Sequence, residues 1–390
     1  MRIAMFTDSY MPVLNGVSVS IQTLVEELRS RGHSVHVFTS RYPKHKDNDP
    51  NIVRFNAIHT PWTGEYPMAI PPFYPFVRGF RRQNFDIVHT HTPYTVGYVG
   101  MRWAESENLP LVSTYHTWYE KYVHYIPFFP RWYLLYKIWK HTNYYYNLCN
   151  HVIVPSDAAQ RSLKRHFVNR PISVIPTGIP SPAKVDRGQA RAAMGLREDE
   201  KLLLYVGRIA QEKNIPFLLR AASKVMRENP KTKLALVGEG PFRTEAEGMV
   251  RNLGMGDKTK FIGELSRKEL DAYYASADLF IFASVTETQG LVIGEAMQFG
   301  VPAIAVQGGG ASASISEDEN GFVVNRDEEQ FADACRRVLS NPAVAVRLSR
   351  GALSGSKLWT SAKMCDEVLE VYASAMNSPQ QTPSVAYAHS

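Results

Sequence analysis

The chain has 390 residues, 44% hydrophobic and 21% charged, which suits two domains with sizeable cores. That composition excludes a wholly disordered chain, a collagen-like chain and a small disulfide scaffold. Three scattered cysteines, Cys149, Cys335 and Cys365, fit neither a disulfide framework nor a zinc site and point to a reducing compartment.

The net charge of +7 is unevenly placed. Residues 1–180 hold 19 Lys/Arg against 11 Asp/Glu, and the remaining 210 hold 25 against 26. The first half also carries 15 of 20 Tyr, 5 of 6 Trp and 11 of 12 His. A basic, aromatic half beside a neutral half predicts an anionic partner on one side only: nucleic acid, an anionic membrane or a phosphorylated substrate. The plain alternative is a solvated surface with a mild bias. No apolar run reaches ~18 residues, so no transmembrane helix is expected. The apolar start Met1–Phe6 is too short for the core of an export signal, which predicts a cytoplasmic chain.

In chain order, Ile3–Phe6 reads as a buried strand, followed by the loop Asn15-Gly16-Val17-Ser18, a helix over 19–31 and a strand Val35–Phe38. Strands follow at Ile52–Phe55, Ile87–His89, Leu111–Thr114 and Val152–Val154, with helical stretches between several of them. Pro176–Pro182 reads as a linker. The alternation restarts with strands at Leu202–Val206, Lys233–Val237, Lys260–Ile262, Leu279–Phe282, Ala303–Ala305 and Phe322–Val324. Helices are predicted near 214–228, 242–253, 267–276, 291–299, 327–340 and 361–376. This is α/β organisation in two units, each a parallel sheet covered by helices. The expected division is 1–178, 179–358, a helix 359–376 packing back on the first domain, and a disordered tail 377–390. Two such domains facing each other would bind ligands in the cleft at the carboxyl ends of their strands, so the loops after strands carry the chemistry.

Four loops stand out. Gly16 precedes a helix start whose free N–H groups and partial positive charge suit a phosphate, although Asn-Gly is also an ordinary turn. Gly207-Arg208-Ile209-Ala210-Gln211-Glu212-Lys213 follows a strand, where Arg208 and Lys213 can neutralise a diphosphate. Val237-Gly238-Glu239-Gly240-Pro241 lacks both the third glycine of a dinucleotide fingerprint and the G-K-[ST] of a P-loop, yet its backbone can frame a base together with Gly263-Glu264-Leu265. The most specific is Thr286-Glu287-Thr288-Gln289-Gly290-Leu291-Val292-Ile293-Gly294-Glu295. Two carboxylates lie eight positions apart, with a helix N-terminus between them offering the N–H groups of Gly290, Leu291 and Val292 to an anion. Glu287 is placed to bind sugar hydroxyls and Glu295 to accept from a ribose. Asp47-Asn48-Asp49 is the only D-x-D in the chain, and beside Pro50 it reads as a turn rather than a metal site.

Together with Pro176-Thr177-Gly178, Gly300-Val301-Pro302 and Asn320-Gly321-Phe322, these motifs make the chain resemble the retaining GT-B glycosyltransferases of family four over nearly its whole ordered length. The resemblance implies a nucleotide-sugar donor held by the C-terminal domain and an acceptor held by the N-terminal one. It also implies retention of configuration, with neither a required metal nor any other cofactor. It assigns the diphosphate to Arg208 and Lys213, the ribose to Glu295, the sugar and phosphate to Glu287 with the Gln289–Leu291 backbone, and the approach to the donor sugar to His116. Gly308-Gly309-Gly310-Ala311 departs from the family, which often continues into Pro-Glu there, and no function is assigned to it.

The acceptor side is read from the basic half. Arg131–Asn147 has helical periodicity, with Trp132, Leu135, Tyr136 and Trp139 on one face and Tyr133, Lys137, Lys140 and Tyr144 on the next, a pattern suited to a membrane interface. The alternative is that this aromatic face is core. A second basic patch, Arg78, Arg81 and Arg82, lies beside the apolar run 70–76. The segment Tyr115–Tyr125, with His116, Tyr119, Tyr122, His124 and Tyr125, and the form Thr286-Glu287-Thr288-Gln289-Gly290-Leu291 resemble bacterial diacylglycerol glucosyltransferases. That subgroup implies transfer of α-glucose from UDP-glucose to diacylglycerol at the inner face of an anionic cell membrane. A sibling using another lipid or soluble acceptor, or another nucleotide sugar, is the alternative. Nucleic acid is excluded as a partner because the Arg and Lys are not clustered into a tract and no recognised motif is present.

Overall fold

The structure is a computed structural model that describes residues 1–13, 15–58, 67–70, 79–123, 126 and 129–378. It forms two compact units, residues 1–178 with the segment from Ser361 onward, and residues 179–360. His124, Tyr125, Arg78, the run 71–76 and the tail beyond 378 lie outside the described residues.

In the first unit the chain runs β1 (Arg2–Thr7), α1 (Gly16–Ser30), β2 (Ser34–Ser40), β3 (Ile52–Phe55), β4 (Ala57–Ile58), β5 (Met68–Ala69), β6 (Ile87–Thr90), α2 (Thr95–Glu107), β7 (Leu111–Thr114), α3 (Arg131–Asn147), β8 (His151–Val154), α4 (Asp157–Arg165) and β9 (Ile172–Val174). Seven strands form a parallel sheet in the order β3-β2-β1-β6-β7-β8-β9, and β4 and β5 pair as a separate antiparallel ribbon. Five consecutive residues of β1 are buried, as expected of a strand covered on both faces. On one face Phe6 stacks on Phe38 with centroids 4.5 Å apart, and Trp103 meets both edge-on. Gly100 allows this, because a Cβ there would stand 2.6 Å from the Phe6 ring. On the other face the C-terminal helix Ser361–Asn377 buries Met364, Val368 and Tyr372 in one cluster with Leu24 and Leu28 of α1. Arg31 also pairs with Asp366.

The second unit runs α5 (Arg187–Ala193), β10 (Lys201–Val206), α6 (Ile215–Glu228), β11 (Thr232–Val237), α7 (Arg243–Asn252), β12 (Thr259–Gly263), α8 (Arg267–Ser276), β13 (Leu279–Phe282), α9 (Leu291–Gln298), β14 (Ala303–Val306), β15 (Gly321–Val324), α10 (Glu328–Ser340) and α11 (Pro342–Ser356). Its six parallel strands take the order β12-β11-β10-β13-β14-β15. Sequence order reverses between β10 and β13, and in the first unit between β1 and β6. Loops at such a switch point diverge and leave a crevice for ligand.

Four elements were not anticipated: the ribbon β4–β5, strand β9 and helices α5 and α11. β9 is three half-buried residues, too short to show a period. α11 carries Gly351, which reads as a breaker. The glycine is there because a Cβ would stand 1.9 Å from the Glu319 carbonyl, so its absence lets the helix lie on that backbone. The second unit ends at Thr360 rather than 358, since Ile179 donates to the Trp359 carbonyl at 2.7 Å and bridges Thr360.

Candidate active site

In the second unit, the loops after β10, β11 and β12 are knitted together by backbone bonds. Gly207 N–H donates to Val237 O at 3.0 Å, Ile209 N–H to Glu239 O at 2.8 Å, and Gly238 N–H to Gly263 O at 2.8 Å. The closeness demands glycine: Gly238 has φ +127° and a Cβ there would stand 2.2 Å from the Gly207 carbonyl. This places Gly238 at the junction of the three loops, with Leu265 just beyond, half-buried against the core. The Arg208 side chain is exposed, while its carbonyl accepts from the buried Tyr205 hydroxyl at 3.0 Å.

Across the switch point, Lys213 from the β10 loop forms an ion pair with Glu287 from the β13 loop. Ser284 donates to the same carboxylate oxygen of Glu287 at 3.3 Å. Asn214, in the left-handed region with φ 58°, accepts from Arg326 at 3.0 Å and donates to the Ala283 carbonyl at 3.4 Å, which fixes the Lys213 turn to the end of β13. Helix α9 then starts at Gly290, which has φ +78° and no side-chain cap, so its first N–H groups are the anion-binding kind.

One turn into α9, Glu295 is buried and fully engaged. Arg267 donates to one of its oxygens at 2.5 Å and the Tyr274 hydroxyl to the other at 2.7 Å. Burial works against the Arg267 charge, and Glu295 and Asp271 more than restore it, so its pKa is raised. Tyr274 is held well above its ordinary pKa by burial and by Glu295, and stays a phenol donor. Two donors thus fix the orientation of the Glu295 carboxylate.

Sequence reasoning passed over the supports of this site. Gly308–Ala311, set aside as a departure from the family, lies directly behind the Glu287 loop. Gly310 N–H donates to the Glu287 carbonyl at 2.7 Å, and a Cβ on Gly310 would stand 1.7 Å from the Thr288 carbonyl. Three glycines in a row after a strand were the available signal. Asn214, Ser284, Arg267 and Tyr274 had none, because nothing in their spacing marks the partners they meet.

In the first unit one expectation changes. The start of α1 does not offer free donors at Val17 and Ser18. Asn15 Oδ1 accepts from both at 2.9 Å, and Ser18 returns a bond to the Asn15 N–H, closing a capping box next to Gly16. Asp47 and Asp49 are structural: Asp47 binds Arg54 through both oxygens at 2.6 and 2.8 Å, and Asp49 pairs with Arg29 at 2.5 Å. Among the described residues no three His, Cys, Asp or Glu are grouped as metal ligands.

His116 follows β7 and lies with His91, which follows β6. His91 Nδ1 and His116 Nε2 are 3.0 Å apart. Burial pushes His116 down to about 4. Tyr119 packs edge-on against Tyr94 at 4.9 Å and Tyr122 is half-buried.

Helix α3 does not bury its aromatic face as core. Only Thr142, Tyr145 and Tyr146 are buried, with the Tyr145 hydroxyl donating to Thr90 Oγ1 at 2.9 Å. Trp132, Tyr136 and Trp139 are 71%, 50% and 38% exposed, so the aromatic face is not core. Arg131, Lys137 and Lys140 are exposed beside them, and Phe129 and Phe167 add exposed rings. Among the described residues no helix is long and apolar enough to cross a membrane.

An open parallel sheet with paired charges and an uncapped helix start at its switch point defines an α/β protein with its ligand crevice at the carboxyl ends of the strands. The comparisons narrow the class. Residues 14–181 match the model of glycosyltransferase family 4, and residues 186–354 that of glycosyl transferases group 1. Over 333 residues the chain is 34% identical to an alpha-monoglucosyldiacylglycerol synthase of Streptococcus pneumoniae, covering 78% of this chain and 71% of that one. It is 30% identical over 384 residues to the enzyme of the same name from Acholeplasma laidlawii, covering 94% and 96%. Sucrose-phosphate synthase of Thermosynechococcus elongatus superposes with a TM-score of 0.77 at 25% identity, covering 95% and 98%. The chain belongs to the family-four glycosyltransferases and is a hexosyltransferase with two Rossmann-like units of the GT-B fold.

Proposed function

We propose that this enzyme transfers α-glucose from UDP-glucose to the hydroxyl of diacylglycerol at an anionic membrane surface, with retention and without a metal. The observation that carries the lipid acceptor is helix α3, whose first three turns display Trp132, Tyr136 and Trp139 to solvent beside Arg131, Lys137 and Lys140. Large aromatic surface with adjacent cations is what an interfacial helix requires. The names of the two relatives support glucose and diacylglycerol.

In this reading the Lys213–Glu287 pair opens on donor binding. Lys213 moves its charge to the diphosphate, joined by Arg208 and the N-terminus of α9, and Glu287 turns to the sugar hydroxyls. These groups stabilise negative charge where it develops. The bond from sugar C1 to the β-phosphate oxygen breaks, its electron pair leaving with the phosphate. The acceptor hydroxyl oxygen bonds C1 from the same face, and its proton passes to the departing phosphate oxygen. No enzymic nucleophile is consumed.

The test is incubation with UDP-glucose, UDP-galactose and GDP-mannose against diacylglycerol, phosphatidylinositol and a soluble saccharide, with mass analysis of products. A monohexosyl diacylglycerol formed only from UDP-glucose is expected. Transfer confined to the soluble saccharide would overturn the lipid assignment, and transfer from GDP-mannose alone would overturn the donor.

A further inference from the structure

The inner side of helix α3 faces the loop 91–94, which joins β6 to α2 and carries His91. His141 and Tyr145 stand about one turn apart on that side and reach the loop at different points. The Tyr145 hydroxyl lies 2.9 Å from Thr90 Oγ1 and 3.1 Å from the Gly97 carbonyl, at the two ends of the loop. His141 Nε2 meets the Pro93 carbonyl, inside the loop, at 2.6 Å. A carbonyl oxygen has no proton to give, so Nε2 carries the hydrogen and donates. Burial lowers the His141 pKa against the opposing pull of that carbonyl, so the ring is neutral at pH 7 and Nδ1 is an acceptor, with the Tyr98 hydroxyl 3.4 Å away. The ring also lies flat against Tyr94, with centroids 5.3 Å apart and 11° between planes.

The loop is held from its far side too. Thr92 Oγ1 donates to Asp8 Oδ2 at 2.5 Å and accepts from Asp8 N–H at 2.9 Å, while Asp8 Oδ1 accepts from Val96 N–H at 3.0 Å. A Cβ on Gly97 would stand 1.7 Å from the Thr92 carbonyl, so α2 sits directly on the loop. Within this frame His91 Nδ1 lies 3.0 Å from His116 Nε2. The place of that contact follows the loop, and the loop is tied to α3 through Pro93.

We propose that His141 is a positioning residue: by donating to the Pro93 carbonyl it holds the loop 91–94, and with it the contact between His91 and His116, in register with α3. The helix that displays Trp132, Tyr136 and Trp139 to solvent thereby also sets the place of the residue assigned to the donor sugar. The role of His116 and the seating of α3 on lipid rest on the proposed function, which this coupling deepens.

The coupling is read first without turnover, by 15N-histidine NMR of the full chain with ring signals assigned from single substitutions. The His141 ring is expected to carry its proton on Nε2 and none on Nδ1. His141→Phe keeps a flat ring beside Tyr94 and removes the donor, so the ring signals of His91 and His116 are expected to move. His141→Gln places an amide N–H near the position of Nε2 and is expected to return them. These spectra do not depend on which sugar or acceptor the enzyme uses. Turnover is then measured with the donor and acceptor that the product screen identifies. In His141→Phe kcat is expected to fall about tenfold, the scale of one buried hydrogen bond, and in His141→Gln to recover most of that loss. UDP affinity and vesicle binding are expected to hold in both variants, since neither touches Lys213, Glu287 or the exposed residues of α3. A bare Nε2 on His141 overturns the proposal, as do unmoved His91 and His116 signals or full kcat in His141→Phe. Loss of vesicle binding in step with kcat also overturns it, because the change would then be a general one of α3. Should His141→Phe fail to fold, His141→Asn, whose amide is one methylene short of Pro93, takes its place against His141→Gln.

Discussion

The two units place their polar groups in opposite ways on the same kind of sheet. In residues 179–360 the charges at the switch point are matched in advance, with Lys213 on Glu287 and Arg267 on both Glu295 and Asp271. In the first unit the switch point carries imidazoles kept neutral by burial, and the exposed cations of α3 stand beside aromatic rings. Net charge alone misleads about both. The near-zero balance of the second half conceals cations already paired with carboxylates at the switch point, and the exposed cations of the first half include those of α3.

The largest consequence is in stability against acid. His89 is lowered to about 3 by burial first and by His116 second, and His91 is lowered well below 6.5 by burial first and by its two histidine neighbours. His33, His36, His141 and His151 shift the same way, each mainly through burial. A lowered folded-state pKa means that the unfolded chain takes up the proton first as pH falls. The stability is therefore complete above about 6.5 and is lost from there downward toward about 3. At pH 5 the burial of His89 costs about 2 kcal/mol, and that of His91 adds to the loss in the same direction. Residues 179–360 contain no histidine. Acid titration followed by tryptophan fluorescence reads mainly the first unit, which holds five of the six tryptophans. Its signal should be lost at a higher pH than the helical signal of the second unit. Simultaneous loss of both would erase this side of the contrast.

The second consequence concerns the matched charges. Lys213→Ala leaves Glu287 without its cation and, on the proposed function, takes one cation away from the diphosphate. Glu287→Ala removes the contact proposed for sugar hydroxyls. Each should lower kcat by about 10²–10³ while thermal unfolding moves by only a few degrees, since the pair lies in a loop outside the core. Full transfer by either variant would mean the pair is structural.

Much of this was legible in the chain. Buried parallel strands are near-continuous apolar runs, so nearly every strand of both sheets is found within a residue or two, and the glycine-bearing loops after them mark the site. What could not be read is anything decided by tertiary neighbours. The start of α1 looked like a phosphate site until Asn15 closed over Val17 and Ser18. Glu295 reads as a ribose ligand in the sequence, but that Arg267 and Tyr274 already hold it depends on where α8 packs. Gly308–Gly310 is visible only as three glycines after a strand, and its meaning needed the Glu287 loop it supports.

The smallest effect per residue bears on the other side of the comparison. Each basic residue near an anionic surface contributes about 1 kcal/mol, so Lys137→Gln with Lys140→Gln should weaken binding to vesicles containing anionic lipid by about 2 kcal/mol, roughly 30-fold. The difference from the unaltered protein should vanish on vesicles of zwitterionic lipid alone and shrink as salt is raised. Trp132→Ala acts through apolar contact instead, so its loss should persist on both kinds of vesicle and be insensitive to salt. Because Trp132 is 71% exposed, truncating it removes little packing, and thermal stability should hold. Co-sedimentation separates the two contributions. If all three substitutions leave binding intact, α3 is not the surface that meets lipid, and its exposed rings need another partner. If only the lysines matter, the protein is held at the surface by charge alone. Loss in both classes, with the salt dependence confined to the lysines, is what a helix seated in the interface requires.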